Sequence, residues 1–272
     1  MLDLLPNLIV AGFYAAVAFD FWRGGKPDSA PDSPRKHAPW HQIAIGIGLL
    51  LHGILLSKSL FTGGLNLGLT NALSAIFWLT VLIYWIADIK RELHSLQAFV
   101  LPPAAVFVLL QGIFPETHLV TYADKPAFVW HLVISMLAYS LLTFAALHAL
   151  LMAVAERSLH RKPTLLRLPE FPPLLPMEKL LFRIITLGFA LLTLTLISGI
   201  VFSEELFHQA LRFNHKNIFA LISWAIFGAL LIGRYQHGWR GKKAIRWTLS
   251  GFALLLLAYV GSKFVLEILL KR

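Results

Sequence analysis

Apolar runs of membrane length follow one another along nearly the whole chain, separated by short clusters of charge, proline and glycine. A hydrocarbon core about 30 Å thick is crossed by about 20 apolar residues in a helix. Eight stretches meet or approach that length: Leu4 to Trp22, His41 to Leu56, Thr70 to Ala87, Leu96 to Phe114, Trp130 to Ala153, Leu180 to Phe202, Ile218 to Gly233 and Trp247 to Leu269. The alternation of apolar and polar residues that marks a membrane barrel is missing. Backbone groups in lipid must bond within their own segment, so the pattern predicts an all-α, polytopic transmembrane helical bundle of about eight spans. Pro102 and Pro103 fall inside the fourth span, where a kink is expected.

Charge orients this bundle. The loops after spans one, three, five and seven hold 16 Lys and Arg, whereas those after spans two, four and six hold four: Lys58, Lys125, Arg212 and Lys216. Basic residues collect in cytoplasmic loops, so the odd loops are expected in the cytoplasm and both termini on the periplasmic side. The net charge of +10 is read as topology, and no nucleic acid is expected as a partner. Hydrophobic residues make up 57% of the chain and charged ones only 14%, against about 25% charged in soluble domains. There is no cysteine, which excludes disulfides, thiolate metal sites and attachment of anything to the chain's own thiols. The opening "MLDLLPNLIVAGFYAAVAFDFW" lacks a basic n-region and a small-residue cleavage site, so it reads as a retained first span. A proline-rich cytoplasmic loop at 155–179, with Pro172 and Pro173, divides an N-terminal five-helix part (1–154) from a C-terminal three-helix part (180–272). "TGGLNLG" reads as an ordinary flexible turn.

Ionisable groups at membrane depth are costly and therefore candidates for function. Asp20 lies near the cytoplasmic end of its span, and Lys263 and Glu267 are spaced to pair with each other near the outer face. The histidines are more informative. His52, His131 and His215 come from three spans and fall at similar depth in the outer half, with Trp130 beside His131. His148 lies roughly 25 Å along the helix from His131 at 1.5 Å per residue, and His41 lies on the face of His52 half a bilayer below. Imidazole, with an ordinary pKa of about 6.5, is mostly neutral at pH 7 and ligates haem iron. Phe128, Trp130, Phe213 and Phe219 would offer flat apolar surface to a porphyrin; Arg212 and Lys216 would pair with its propionates, while Trp224 points away and packs. The competing reading makes these histidines interfacial, or polar contacts between helices. A transporter or proton relay would want carboxylates at mid-membrane, which the spans almost wholly lack. No phosphate-cradling, metalloprotease or serine-elbow motif stands out, so no catalytic residue is assigned and an enzyme is not expected.

The segments "LLLHGILL" with "LNLGLTNALSAIFWLTVLIYWI", "WHLVISMLAYSLLTFAALHALLM", and "FALISWAIFGALLIGRYQHGWRGKKA" with "GFALLLLAYVGSKFV" share an order and spacing with a known family. Over about residues 45–270 the chain resembles the haem-handling cytochrome c assembly proteins of the CcsA/CcmC type, and within them the YpjD-like or HemX-like branch. That resemblance implies a multi-pass protein of the bacterial inner membrane that binds b-type haem non-covalently. His131 would be the outer axial ligand and His52 the membrane-embedded one. Expected partners are haem, membrane lipid and other cytochrome c maturation or membrane proteins. In the family's tryptophan-rich loop, which ends Trp-Asp-Pro-Lys-Glu, Asn214 stands for the Asp, His215 for the Pro and Asn217 for the Glu. Lys216 is kept, and Phe219 replaces a Trp. Ile232 and Arg234 stand where the family has a histidine, with His237 displaced towards the loop, and "VLEILLKR" holds no second outer histidine. The expectation is therefore an accessory haem-handling protein and not a ligating synthase, with His131, His52, His215, Lys216, Phe219 and Trp130 as the binding set. The alternative is a non-haem regulatory or scaffold subunit acting through its cytoplasmic loops.

Overall fold

The computed structural model describes residues 4–23, 40–91, 93–115, 118–120, 123–160, 174–207 and 215–261. Among these stand eight α-helices and no strand: α1 (Leu5–Arg23), α2 (Trp40–Phe61), α3 (Leu69–Arg91), α4 (Gln97–Ile113), α5 (Pro126–His160), α6 (Leu174–Phe207), α7 (His215–His237) and α8 (Gly241–Leu256). A π-helical turn, Leu257–Gly261, follows α8. Helices α1 to α7 fall on the first seven predicted spans; α8 and the turn after it cover the first part of the eighth, Trp247 to Leu269, whose residues after Gly261 lie outside the described residues. Six, namely α1, α2, α3, α5, α6 and α7, hold segments long and apolar enough to cross a membrane, while α4 has 17 residues and α8 has 16. Helix α4 runs unbroken through Pro102 and Pro103, which membrane helices accommodate because neighbouring groups satisfy the freed carbonyls. Several hydroxyls inside the spans are satisfied locally: Thr80, Thr143 and Thr193 each donate to the carbonyl four residues back.

The helices group into two compact units: Met1–His118 with Val154–Leu174, and Leu119–Ala153 with Leu175–Arg272. In the first, each of α1 to α4 packs on the next and α4 returns against α1, closing a ring. The directions alternate, since Asp20 at the end of α1 meets His41 at the start of α2, and Asn7 at the start of α1 donates to the Val108 carbonyl late in α4 at 2.9 Å. Lipid offers no hydrophobic drive for helices to associate, so close contact must come from small residues and shared hydrogen bonds. Helix α2 supplies Gly46 and Gly53, seven residues apart, and α3 lays Trp85 and Trp78, also seven apart, against them. Each indole N–H then reaches an α2 carbonyl at 2.9 Å, Trp85 to Gln42 and Trp78 to Leu49.

"TGGLNLG", expected to be an ordinary turn, is instead a hydrogen-bonded junction. Gly63 and Gly64 take positive φ (78° and 130°), and Asn66, only 7% exposed, accepts from the His118 N–H at 2.9 Å through its side chain.

In the second unit, α5 approaches α6 closely at Gly188, where a Cβ would stand 2.7 Å from a Leu142 methyl. Trp224 of α7 donates to Thr193 of α6 at 2.9 Å and stacks on Phe189, the packing role expected of it. Ser223 of α7 donates to the Gly251 carbonyl of α8 at 2.8 Å. Packing thus groups α5, as far as Ala153, with the helices that follow it, whereas the division at 155–179 follows chain order. Pro172, Pro173, Arg212, Phe213, Lys263 and Glu267 lie outside the described residues.

Candidate functional site

His131 lies one turn into α5 and is half-buried. Its Nδ1 is 2.8 Å from Ser198 Oγ on α6, and Ser198 donates its single proton to the Thr195 carbonyl at 3.1 Å. With that proton on the Thr195 carbonyl, Ser198 accepts from Nδ1–H, the tautomer that leaves the lone pair on Nε2. A hydrogen bond to one ring nitrogen is the means by which metal-ligating histidines are held in orientation. Gly199 follows directly, and a Cβ there would come within 3.3 Å of His131 Cε1, so the glycine gives the ring its place. Lys216, in the first turn of α7, is close enough for its charge to act on His131. Its Nζ stands 5.9 Å from the Tyr259 ring, and Tyr259 tilts against Tyr139 of α5 with centroids 5.6 Å apart. Tyr259 is carried by the π-helical turn, a distortion that recurs at functional sites. Three helices and this turn therefore converge on the His131 end of the second unit.

His52 belongs to the first unit and stands differently. It is fully buried, and both ring nitrogens are engaged: Nδ1 lies 3.3 Å from Tyr14 Oη and Nε2 lies 2.8 Å from Ser74 Oγ. Ser74 donates to Gln111 Oε1 at 2.7 Å, so Ser74 accepts from Nε2–H and Tyr14 donates to Nδ1. The chain Tyr14, His52, Ser74, Gln111 takes one residue from each helix of the ring and satisfies each in turn.

Of the other predicted residues, Trp130 is 66% exposed and Phe219 half-buried, while His215 opens α7 with its side chain outside the described residues. His148 is buried and its Nε2 donates to the Met177 carbonyl at 2.9 Å; His41 pairs with Asp20 at 3.0 Å. Neither joins His131 or His52 in these contacts. Sequence reading missed Ser198, Tyr139, Tyr259, Tyr14, Ser74 and Gln111. The Ser198-Gly199 pair within an apolar run was the available signal, since small residues mark helix contacts in membranes.

The fold and this site define a multi-pass helical membrane protein with an oriented imidazole near the end of one helical unit. Residues 40–270 match the family described as Cytochrome C assembly protein. The chain is 29% identical over 245 residues to the inner membrane protein YpjD of Escherichia coli, covering 88% of this chain and 92% of the relative. It is 37% identical over 92 residues to a cytochrome c biogenesis protein CcsA of Prochlorococcus marinus, covering 34% of this chain and 29% of that one. Against CcsA of another strain the identity is 28% over 183 residues, 59% and 58% of the two chains. The chain belongs to the cytochrome c assembly protein family and fits its YpjD-like branch, as a multi-pass protein of the inner membrane.

Proposed function

We propose that the protein holds b-type haem non-covalently through His131, as an accessory, non-enzymatic component of cytochrome c assembly. The observation that carries this is the Ser198 bond, which anchors one nitrogen of the His131 ring and so orients it. Among the described residues no group of three or more His, Cys, Asp and Glu side chains is arranged for a metal ion, whereas haem asks the protein for only one or two axial ligands. The donor set fits: one oriented imidazole, a cation in Lys216 for a propionate, and rings in Trp130, Phe219 and Tyr259. Bound haem would supply a redox-active iron. The chain's own residues would orient the imidazole and neutralise the acid groups.

His215 enters the proposal as a second outer ligand. His52 enters it as the embedded ligand, on the condition that Ser74 gives up its bond and the ring changes tautomer. The names of the CcsA relatives support a role in cytochrome c biogenesis, with other maturation or membrane proteins as partners. The test is the absorption spectrum of the purified protein with haem: a Soret band that weakens in His131→Ala, with similar or smaller losses in His52→Ala and His215→Ala. A well-folded wild type that binds no haem on titration defeats the proposal. That result would favour a regulatory or scaffold subunit, a reading supported by the ordered α7–α8 connection.

A further inference from the structure

The α7–α8 connection is built more firmly than a loop that only reverses the chain. Glu178, near the start of α6, is buried and receives Arg234 Nη1 at 2.8 Å, Arg240 Nε at 3.0 Å and the Gly241 N–H at 3.1 Å. Its carboxylate thereby seats the first residue of α8 and is compensated by two guanidinium groups through charge-assisted bonds. The chain turns through Gly238 (φ 62°) and Gly241 (φ 52°), left-handed values that glycine adopts without strain. Between them Trp239 folds back on α7. Its N–H donates to the Gly233 carbonyl at 3.2 Å, and its own carbonyl accepts from Arg234 at 3.2 Å. A Cβ at Gly233 would fall 2.4 Å from the indole, so only glycine admits this contact.

Trp247, from the second turn of α8, packs beside Trp239 with centroids 4.9 Å apart, and Lys243 Nζ stands 3.7 Å over the Trp239 ring. Lys243 and Arg246 are exposed, and the two indoles are half-buried. We propose that this platform binds the headgroup of an anionic phospholipid, with Lys243 and Arg246 on the phosphate and the indoles at headgroup depth. Tryptophan favours the membrane interface and basic clusters attract anionic lipid. Glu178 is compensated by Arg234 and Arg240, so Lys243 and Arg246 keep their charge for a ligand. Orientation of the chain in the membrane needs the charge of these residues alone. It does not need a lysine seated on one of two packed indoles that a buried carboxylate holds in place.

The test uses the full-length protein in neutral detergent, titrated with phosphatidylglycerol or phosphatidylcholine, with retained lipid counted by native mass spectrometry. Phosphatidylglycerol is expected to be retained in preference and not to be displaced by inorganic phosphate. Lys243→Gln and Arg246→Gln each lower its affinity about fivefold. Lys125→Gln, a cation ahead of α5, leaves it unchanged. Glu178→Gln separates the platform from bulk charge: it makes the protein more positive, yet retention falls because the loop loses its anchor. Equal retention of the two lipids, indifference to both cation replacements, displacement by inorganic phosphate, or tighter binding by Glu178→Gln each overturns the proposal. Should Glu178→Gln fail to fold, the two cation variants decide.

Discussion

His52 and His131 are both histidines of apolar helices, and the hydroxyl beside each one gives them opposite characters. With its proton on its own helix, Ser198 accepts from His131 Nδ1; with its proton on Gln111, Ser74 accepts from His52 Nε2. Replacing Ser198 by Ala removes the bond that orients the proposed ligand. Haem affinity is expected to drop about 10-fold or more, measured by haem titration, with folding unchanged. An unaltered affinity and spectrum would show that the bond plays no part. Ser74→Ala instead strands the His52 N–H and the Gln111 carbonyl where both are buried. Membrane hydrogen bonds average about 0.6 kcal/mol, but stranding two buried groups raises the expected loss to about 1–3 kcal/mol, read from thermal or denaturant unfolding. The sequence named both histidines by residue type and depth. It was silent on their serines, because a hydroxyl in a span looks the same whether it serves its own helix or a neighbour's ring.

At the scale of helices, the architecture rests on glycines placed where another element must come close. Gly112 of α4 has Asn7 of α1 against it, a Cβ falling 2.7 Å from the Asn7 amide carbon. Gly112→Ala would push that side chain off the Val108 carbonyl, at an expected cost of about 1–2 kcal/mol in unfolding experiments. Gly233→Ala meets a rigid indole instead of a side chain that can turn away. It should displace Trp239, changing the tryptophan fluorescence and lowering stability by about 1–3 kcal/mol. If neither signal moves, the close fit at Gly233 is not limiting. Helix identity and order were legible from apolar run length alone. The partner of each glycine was not, since Gly46 and Gly53 meet tryptophans 39 and 25 positions away in the chain, Trp85 and Trp78.

For the molecule as a whole, the distribution of Lys and Arg predicts that both termini and the even loops face the periplasm. The absence of cysteine makes this directly measurable by single-cysteine labelling of intact cells. Lys58→Cys and Lys125→Cys should react with an impermeant maleimide from outside, and Lys243→Cys only after permeabilisation. The reverse pattern would invert the topology and place the His131 end of its unit at the cytoplasm.

The sequence by itself determined that this is a polytopic helical membrane protein, where its spans run, and its membership of the cytochrome c assembly family. Apolar length and the order of motifs are properties of the chain read linearly, and lipid leaves the backbone little choice but the helix. The tertiary structure alone decided that α5 joins the later helices as far as Ala153, that His52 is enclosed in a satisfied network, and that Ser198 orients His131. It also decided that Glu178 builds the α7–α8 platform. Each of these depends on which side chains from distant segments share a hydrogen bond, and hydropathy carries no record of that pairing.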